Sequence, residues 1–121
     1  ADTQPAFRLT YYTYFGPGAR AEAPRWAAAL AGLCWEDVTL TQQEMNESRA
    51  AGQRRWRGVP ELTILDKQGK AMQTIGQCNS ILRLIGTAVN NGLYPSNAVE
   101  AALCDEICDS VEDVLTVIMR A

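Results

Sequence analysis

The chain has 121 residues, of which 47% are apolar and 21% charged, a composition typical of one folded domain and not of a disordered chain. The net charge is −3, and the eleven basic residues are scattered apart from Arg54, Arg55 and Arg57, so we expect no binding to nucleic acid. No apolar run approaches the roughly 20 residues of a membrane span, and the first residues lack a signal-peptide pattern. We therefore expect the protein in the cytoplasm or, if a targeting peptide has been removed, inside an organelle.

The four cysteines form no CxxC pair, and the chain has no histidine. A zinc site would need all four thiolates from distant elements, so we expect no metal site. Cys104 and Cys108 are one helical turn apart. We interpret them as buried, small apolar side chains.

The first predicted element is a β-strand that begins at Phe7. Phe7, Leu9 and Tyr11 alternate with other side chains in a segment rich in aromatic and β-branched residues, which is typical of a strand. The Phe15–Gly18 segment, with a proline between two glycines, ends it.

A helix is predicted from Ala19 to Gly32, because apolar residues recur there at helical spacing and Gly32 suits a C-cap. A second strand follows at Glu36 to Thr41, where Val38 and Leu40 alternate with polar residues. Strand, helix and strand in this order predict a parallel pair with a right-handed crossover. The next segment, Gln42 to Arg55, is polar without a steady apolar period, and we interpret it as a loop with at most a short helix.

Leu62, Ile64 and Leu65 form an apolar run of strand length, and the cluster from Asp66 to Gly69 predicts the tight turn of a β-hairpin. Val59-Pro60 leads into this run. An X-Pro bond held in a tight turn is a candidate for the cis form.

A helix is predicted to begin at Gln77, Cys78 and Asn79, because the apolar residues after them recur at helical spacing. The first turn of a helix has open backbone N–H groups, and the macrodipole favours negative charge in front of them. This end could therefore hold the carboxylate of a ligand.

A linker around Asn90 to Pro95 leads to a long amphipathic helix, predicted from Asn97 to Arg120. The apolar residues of this helix form one stripe: Val99, Ala102, Leu103, Ile107, Val111, Val114, Leu115 and Ile118. The stripe is too long for one small α/β layer to cover. We expect its final turns, around Val114 to Met119, to contact another chain or further helices.

These elements predict an α/β fold of the thioredoxin-like βαβ-ββα type, with a four-stranded mixed sheet and one long helix after it. Three motifs in this order resemble the glutathione transferase family. They are Arg20-Ala-Glu22 followed by Arg25-Trp26, Val59-Pro60 with its hairpin and Gln77-Cys-Asn-Ser-Ile-Leu-Arg83, and Leu93-Tyr94 with the acidic spacing Glu100, Asp105, Asp109, Asp113.

The resemblance implies a glutathione-binding domain over residues 1–89 and, at 90–121, a linker and the first helix of a truncated helical domain. The chain ends where a family member continues through further helices. We therefore expect either a longer protein or another protein chain, in a homodimer or a larger complex, to cover the last helix.

The resemblance also implies glutathione as co-substrate. We therefore predict a cis bond between Val59 and Pro60, with the backbone of Val59 pairing with the cysteinyl part of glutathione. Gln77 with Cys78 would take the γ-glutamyl carboxylate. Cys78 stands where the family usually has serine.

The resemblance also implies residues that would bind the glycyl and γ-glutamyl ends of glutathione. Arg54, Arg55 and Trp56 are the local candidates for the glycyl carboxylate. Asp113 matches the position from which some family dimers reach the γ-glutamyl amine of the neighbouring site.

The family's tyrosine-type members place a tyrosine at the end of the first strand, where its hydroxyl stabilises the glutathione thiolate. Tyr11 fits the strand pattern but leaves three extra residues before Arg20-Ala-Glu22, whereas Tyr14 keeps the usual separation. Both tyrosines are candidates for the catalytic residue.

Two functions are consistent with these features. The first is a glutathione transferase that joins the glutathione thiolate to an electrophile, and the alternative is a non-catalytic subunit of this fold in a larger assembly. A thiol oxidoreductase would need a reactive cysteine at the start of the first helix, where Gly18, Ala19 and Arg20 stand instead.

Overall fold

The computed structural model describes residues 4–12, 19–56, 58–88 and 92–120. The elements in chain order are β1 (Phe7–Tyr12), a 3₁₀ turn (Ala19–Ala21), α1 (Glu22–Leu30), β2 (Trp35–Leu40), α2 (Gln42–Ala50), β3 (Glu61–Leu65), β4 (Ala71–Gly76), α3 (Cys78–Ala88) and α4 (Ala98–Arg120). The order confirms the predicted βαβ and ββα units. The predicted domain boundary, between 89 and 90, lies outside the described residues.

The four strands form one mixed sheet in the order β2-β1-β3-β4. β1 runs parallel to β2 and antiparallel to β3, and Leu9 lies opposite Asp37 on one side and Leu62 on the other. β3 and β4 form the predicted antiparallel hairpin. The mixed sheet and the thioredoxin-like arrangement predicted from the sequence are therefore confirmed.

The core lies between this sheet and the helices α1 and α3, which pack against each other. Phe7, Leu9 and Tyr11 of β1 point to the same face, as alternate residues of a strand do, and each is nearly fully buried. They meet Leu62 from β3 and residues of α1 and α3; the other members of the cluster are Ala21, Ala28, Ile81 and Ile85. The core thus fixes where β1 ends and where α3 begins.

The polar segment after β2 contains a nine-residue helix, α2, where the sequence predicted a loop with at most a short helix. A capping box stabilises its start, because the Thr41 hydroxyl accepts from the Glu44 N–H and the Glu44 carboxylate accepts from the Thr41 N–H. Two side chains, Met45 and Ser48, are buried. Two buried positions and a local cap are enough for a helix without a long apolar period.

The loop that follows α2 is held by a buried ion pair. Arg54 Nη1 donates to Glu61 Oε1 at 2.5 Å, and the Arg55 N–H donates to Glu61 Oε2 at 2.8 Å. Glu61 is only 3% exposed. One buried carboxylate therefore sets the path of the chain just before Trp56.

The linker before α4 packs closely on α3. A Cβ at Gly86 would lie 2.9 Å from Tyr94 Cβ, so only glycine permits this approach. α4 then begins with Asn97 as its cap, since the Asn97 side-chain oxygen accepts from the N–H groups of Val99 and Glu100.

α4 is attached to the rest of the chain through one polar side, which we call the polar seam: Asp105, Asp109, Glu112 and Thr116. The Asp105 carboxylate accepts from Arg83 Nε at 2.9 Å and from the Tyr94 hydroxyl at 3.0 Å. The Asp109 carboxylate accepts from Asn79 Nδ2 at 2.6 Å. Positions at this spacing lie along one side of a helix.

The apolar side of α4, which we call the outer stripe, points away from the α/β layer. Its members are exposed by 52–69%: Val99, Leu103, Ile107, Val111, Val114 and Ile118. The sequence located this stripe correctly, but the layer covers less of it than we expected, because polar residues make the contact. None of the described helices is long and apolar enough to cross a bilayer.

We predict that Glu61→Gln lowers the free energy of unfolding by about 3 kcal/mol, because it leaves the Arg54 guanidinium buried without its counter-charge. Urea denaturation measures the change. The matched control is Glu36→Gln, which breaks the exposed pair between Arg8 and Glu36, 3.7 Å apart, and should cost less than about 1 kcal/mol. Equal effects of the two substitutions would contradict the role given to Glu61.

Candidate functional site

A cavity of about 280 Å³ opens where the loop after α2, the end of β4 and the start of α3 meet. α4 contributes one residue to it, Glu112. The lining residues are Arg20, Trp56, Gly58, Val59, Pro60, Gly76, Gln77, Cys78, Asn79 and Glu112. Five of the residues that the sequence singled out, Trp56, Val59, Pro60, Gln77 and Cys78, are therefore brought together.

The peptide bond between Val59 and Pro60 is cis, as predicted from the sequence. Both residues line the cavity at the entry to β3. Pro60 is buried and Val59 is half-buried.

Gln77 has left-handed backbone geometry, with φ at +74°. For a residue other than glycine this conformation costs on the order of 1–3 kcal/mol, and such outliers cluster at functional sites. The Gln77 carbonyl accepts the first hydrogen bond of α3, from the Ile81 N–H at 3.1 Å. The left-handed residue is therefore the cap of α3, and the open N–H groups of the first turn follow it at the cavity wall.

The Cys78 thiol is occupied as a donor within the protein. Its Sγ donates to the Arg20 carbonyl oxygen at 3.2 Å. Burial, and then the Glu112 carboxylate, raise the pKa of Cys78 to about 11. At neutral pH this group is predominantly a thiol, which makes it a poor nucleophile.

Arg20 and Glu112 place both signs of charge in the cavity. Arg20 Nε donates to Glu112 Oε1 at 2.6 Å, and Arg20 Nη2 donates to Thr116 Oγ1 at 3.2 Å. The sequence marked Arg20 only as part of a helix motif and did not single out Glu112. The two positions are 92 residues apart, so no local pattern could have paired them.

Tyr11 lies at the end of β1 and is 3% exposed. Burial raises its pKa, although a hydrogen bond from the Arg20 backbone acts in the opposite direction. Its hydroxyl therefore stays protonated at neutral pH and can act as a donor. Tyr11 is not among the described residues that line the cavity, and Tyr14 lies outside the described residues.

Trp56 covers one side of the cavity. A Cβ at Gly76 would lie 2.7 Å from Trp56 Cδ1, so the indole ring occupies the space beside this glycine. The Arg55 guanidinium is 5.8 Å from the centre of the same ring.

Arg55 and Asp113 are not brought to the cavity with the other candidates. Arg55 lines a separate cavity of about 480 Å³, together with Arg8, Thr10 and Arg54. Asp113 is exposed on α4, next to Glu112. Within the described part of the chain, no group of three or more potential ligands could hold a metal ion.

Comparison with known proteins identifies relatives whose sequences are similar to this one over most of its length. Bovine glutathione S-transferase A2 is 33% identical over 108 residues, covering 88% of this chain and 45% of the relative. Bovine glutathione S-transferase P is 29% identical over 110 residues, covering 91% of this chain and 47% of the relative. No family model matches the chain.

Solved structures of the same kind share the fold. A Nu-class glutathione transferase from Haemonchus contortus superposes with a TM-score of 0.69 at 31% identity, over 91% of this chain and 48% of that one. The chain therefore spans about half the length of the relatives it matches. Its sequence, its sheet and its relatives agree, and the chain belongs to the glutathione transferase family.

Proposed function

We propose that glutathione binds in the cavity between Trp56, Val59 and Gln77, and that the protein conjugates the glutathione thiolate to an electrophile. The observation that supports this most is the meeting of three separate segments in one cavity: the loop that carries Trp56 and the Val59–Pro60 turn, the start of α3, and Glu112 of α4. Family membership supports glutathione as the ligand.

The γ-glutamyl carboxylate would bind at the start of α3. Backbone N–H groups and the helix macrodipole stabilise an anion there, and the Gln77 side chain adds a donor. The Cys78 thiol contributes little, because it already donates to the Arg20 carbonyl. The departure from serine at position 78 therefore leaves the backbone part of the carboxylate site intact.

The reaction needs the glutathione thiol ionised near neutral pH. A free thiol has a pKa of about 8.5, so lowering it by roughly two units requires about 3 kcal/mol of preferential stabilisation of the thiolate. A hydrogen bond from a protonated tyrosine supplies stabilisation of this kind. Tyr11 meets the requirement of staying protonated, and Tyr14 is the alternative donor.

The glycyl carboxylate would lie towards Trp56, with Arg55 as the neighbouring cation. Asp113 would act only in a dimer, by reaching the γ-glutamyl amine of the partner's site.

We expect Gln77→Ala to weaken glutathione binding by about 1.5–3 kcal/mol, the range for a hydrogen bond to a charged group. Titration calorimetry measures the affinity. Gln73→Ala, on the exposed part of β4, is the control and should leave the affinity unchanged.

A second variant separates the side chain from the backbone. Gln77→Gly removes the same side chain, but glycine tolerates the left-handed geometry. It should therefore lose as much affinity as Gln77→Ala while unfolding less readily. Normal affinity in the glycine variant would show that the Gln77 side chain is not a ligand.

We predict that Tyr11→Phe raises the pKa of the bound glutathione thiol by about two units. The conjugation rate should then fall by about 100-fold at pH values below the wild-type thiol pKa, since two pKa units correspond to a 100-fold change in thiolate. The difference should shrink as the pH rises from the wild-type thiol pKa towards about 8.5, and it should nearly disappear above that pH, where a free thiol ionises unaided. The pH–rate profile with a chromogenic electrophile measures the shift.

Two further substitutions complete this test. Tyr12→Phe, the adjacent residue, should leave the profile unchanged. A shifted profile in Tyr14→Phe instead of Tyr11→Phe would move the role to Tyr14. Unchanged profiles in both would contradict the transferase mechanism.

A second candidate function is a non-catalytic subunit of a larger assembly. The observation in its favour is the outer stripe of α4, where six large apolar side chains are more than half exposed. Exposed apolar surface of this extent marks a contact with another protein surface. A homodimer or a larger complex would cover it.

We expect the chain alone to self-associate in sedimentation velocity experiments, because association would remove the exposed apolar side chains of the outer stripe from water. Val114→Glu, in the middle of the exposed part, should reduce the association. The matched control is Gln73→Glu, which introduces the same charge at an exposed polar position on β4. A monomer at all concentrations, with or without Val114→Glu, would contradict a covered stripe.

A further inference from the structure

The Cys104 and Cys108 thiols form a pair on α4 that the proposed glutathione chemistry does not use. They are one turn apart, both half-buried and both unpaired by disulfide. Both line a cavity of about 590 Å³ between α1, α3 and α4, distinct from the candidate glutathione cavity. Trp26, Leu82 and Arg83 also line this cavity.

The spacing of the pair does not suit a disulfide. Residues four apart on a helix have Cβ atoms about 5–6 Å from each other. A disulfide requires a Cβ–Cβ distance of about 3.5–4.5 Å. A direct bond between the two sulfur atoms would therefore distort the helix. The pair therefore suits a bridging atom between the sulfurs.

The carboxylates around the pair are already engaged within the protein. The nearest carboxylate on α4, Asp105, already accepts from Arg83 and Tyr94. Apolar side chains, among them Trp26 and Leu82, form much of the cavity wall. Burial, and then Cys104 and Asp105, raise the pKa of the Cys108 thiol, and the Arg83 guanidinium acts in the opposite direction. The other potential ligands that line this cavity already have partners, since Glu22 accepts from Trp26 and Asn79 donates to Asp109. The two sulfur atoms are thus the donors that this part of the described cavity offers to a soft metal ion.

We propose that Cys104 and Cys108 together bind a soft monovalent metal ion of the Cu(I) type, held between the two sulfurs. Thiolates are the ligands that Cu(I) prefers. The sequence argued against zinc because zinc takes four ligands, whereas a soft monovalent ion is satisfied by two. The arrangement of two thiols does not support zinc.

Binding involves no change of oxidation state. Each thiol loses its proton to solvent, and two S–Cu bonds form. The resulting site carries one net negative charge, which the Arg83 guanidinium partly balances.

The test is an anaerobic titration of the full chain with Cu(I), in competition with a chromogenic Cu(I) chelator. We expect one ion per chain and the ultraviolet charge-transfer band of a Cu(I)–thiolate bond. The Cys104→Ser and Cys108→Ser variants should each fail to take Cu(I) from the chelator, and neither should show the charge-transfer band. Cys34→Ser, at an exposed position after α1, is the matched control and should bind as the wild type does.

Two more variants test the geometry. Cys108→Ser with Val111→Cys keeps four thiols but places the pair two turns apart, about 10 Å along the helix, and should lose tight binding. Cys78→Ser should retain it. Failure of the wild type to compete, or wild-type binding by the Cys104→Ser and Cys108→Ser variants, would overturn the proposal. Thermal unfolding of each variant shows whether it is folded, so a loss of binding in a folded variant supports the site.

Discussion

The structure depends on the position of Arg20. Its backbone hydrogen-bonds to the Tyr11 hydroxyl and accepts from the Cys78 thiol. Its guanidinium donates to Glu112 and Thr116 of α4. One residue at the start of the first helical segment therefore connects the end of β1, the start of α3 and the C-terminal helix. Arg20 itself lines the candidate glutathione cavity, together with the start of α3, Glu112 of α4 and the Trp56 loop.

Much of the fold could be predicted because its signals are local. Strand alternation located β1 and β2, and the Asp66–Gly69 turn located the hairpin. The α2 helix was underestimated, because its stability comes from a capping box and two buried side chains. Amphipathicity located the outer stripe, but it could not say that polar residues would make the contact with the layer. Which side of α4 makes the contact depends on partners such as Arg20 and Arg83, which are distant from it in sequence.

In the candidate site, too, local motifs could be recognised from the sequence, whereas contacts between distant residues could not. Gln77, Val59 and Trp56 were recognisable from a family motif, and they line one cavity. Glu112 was not recognisable, since its place in the site follows from how α4 crosses the layer. The sequence could not place Arg55 relative to this cavity either. It stands in a run of basic residues, but the buried Arg54–Glu61 pair fixes the loop so that Arg55 lines another cavity.

The polar seam gives the two parts of the molecule different responses to solvent. The sheet with α1 and α3 is held by apolar burial, which added salt does not screen. α4 is held mainly by charged and polar contacts at partly exposed positions, and the screening length falls from about 10 Å at 0.1 M salt to about 3 Å at 1 M. A rise in ionic strength therefore weakens the contacts of α4 more than it weakens the apolar core. It loosens the attachment of α4, and with it the Glu112 wall of the cavity, while the sheet beneath remains intact.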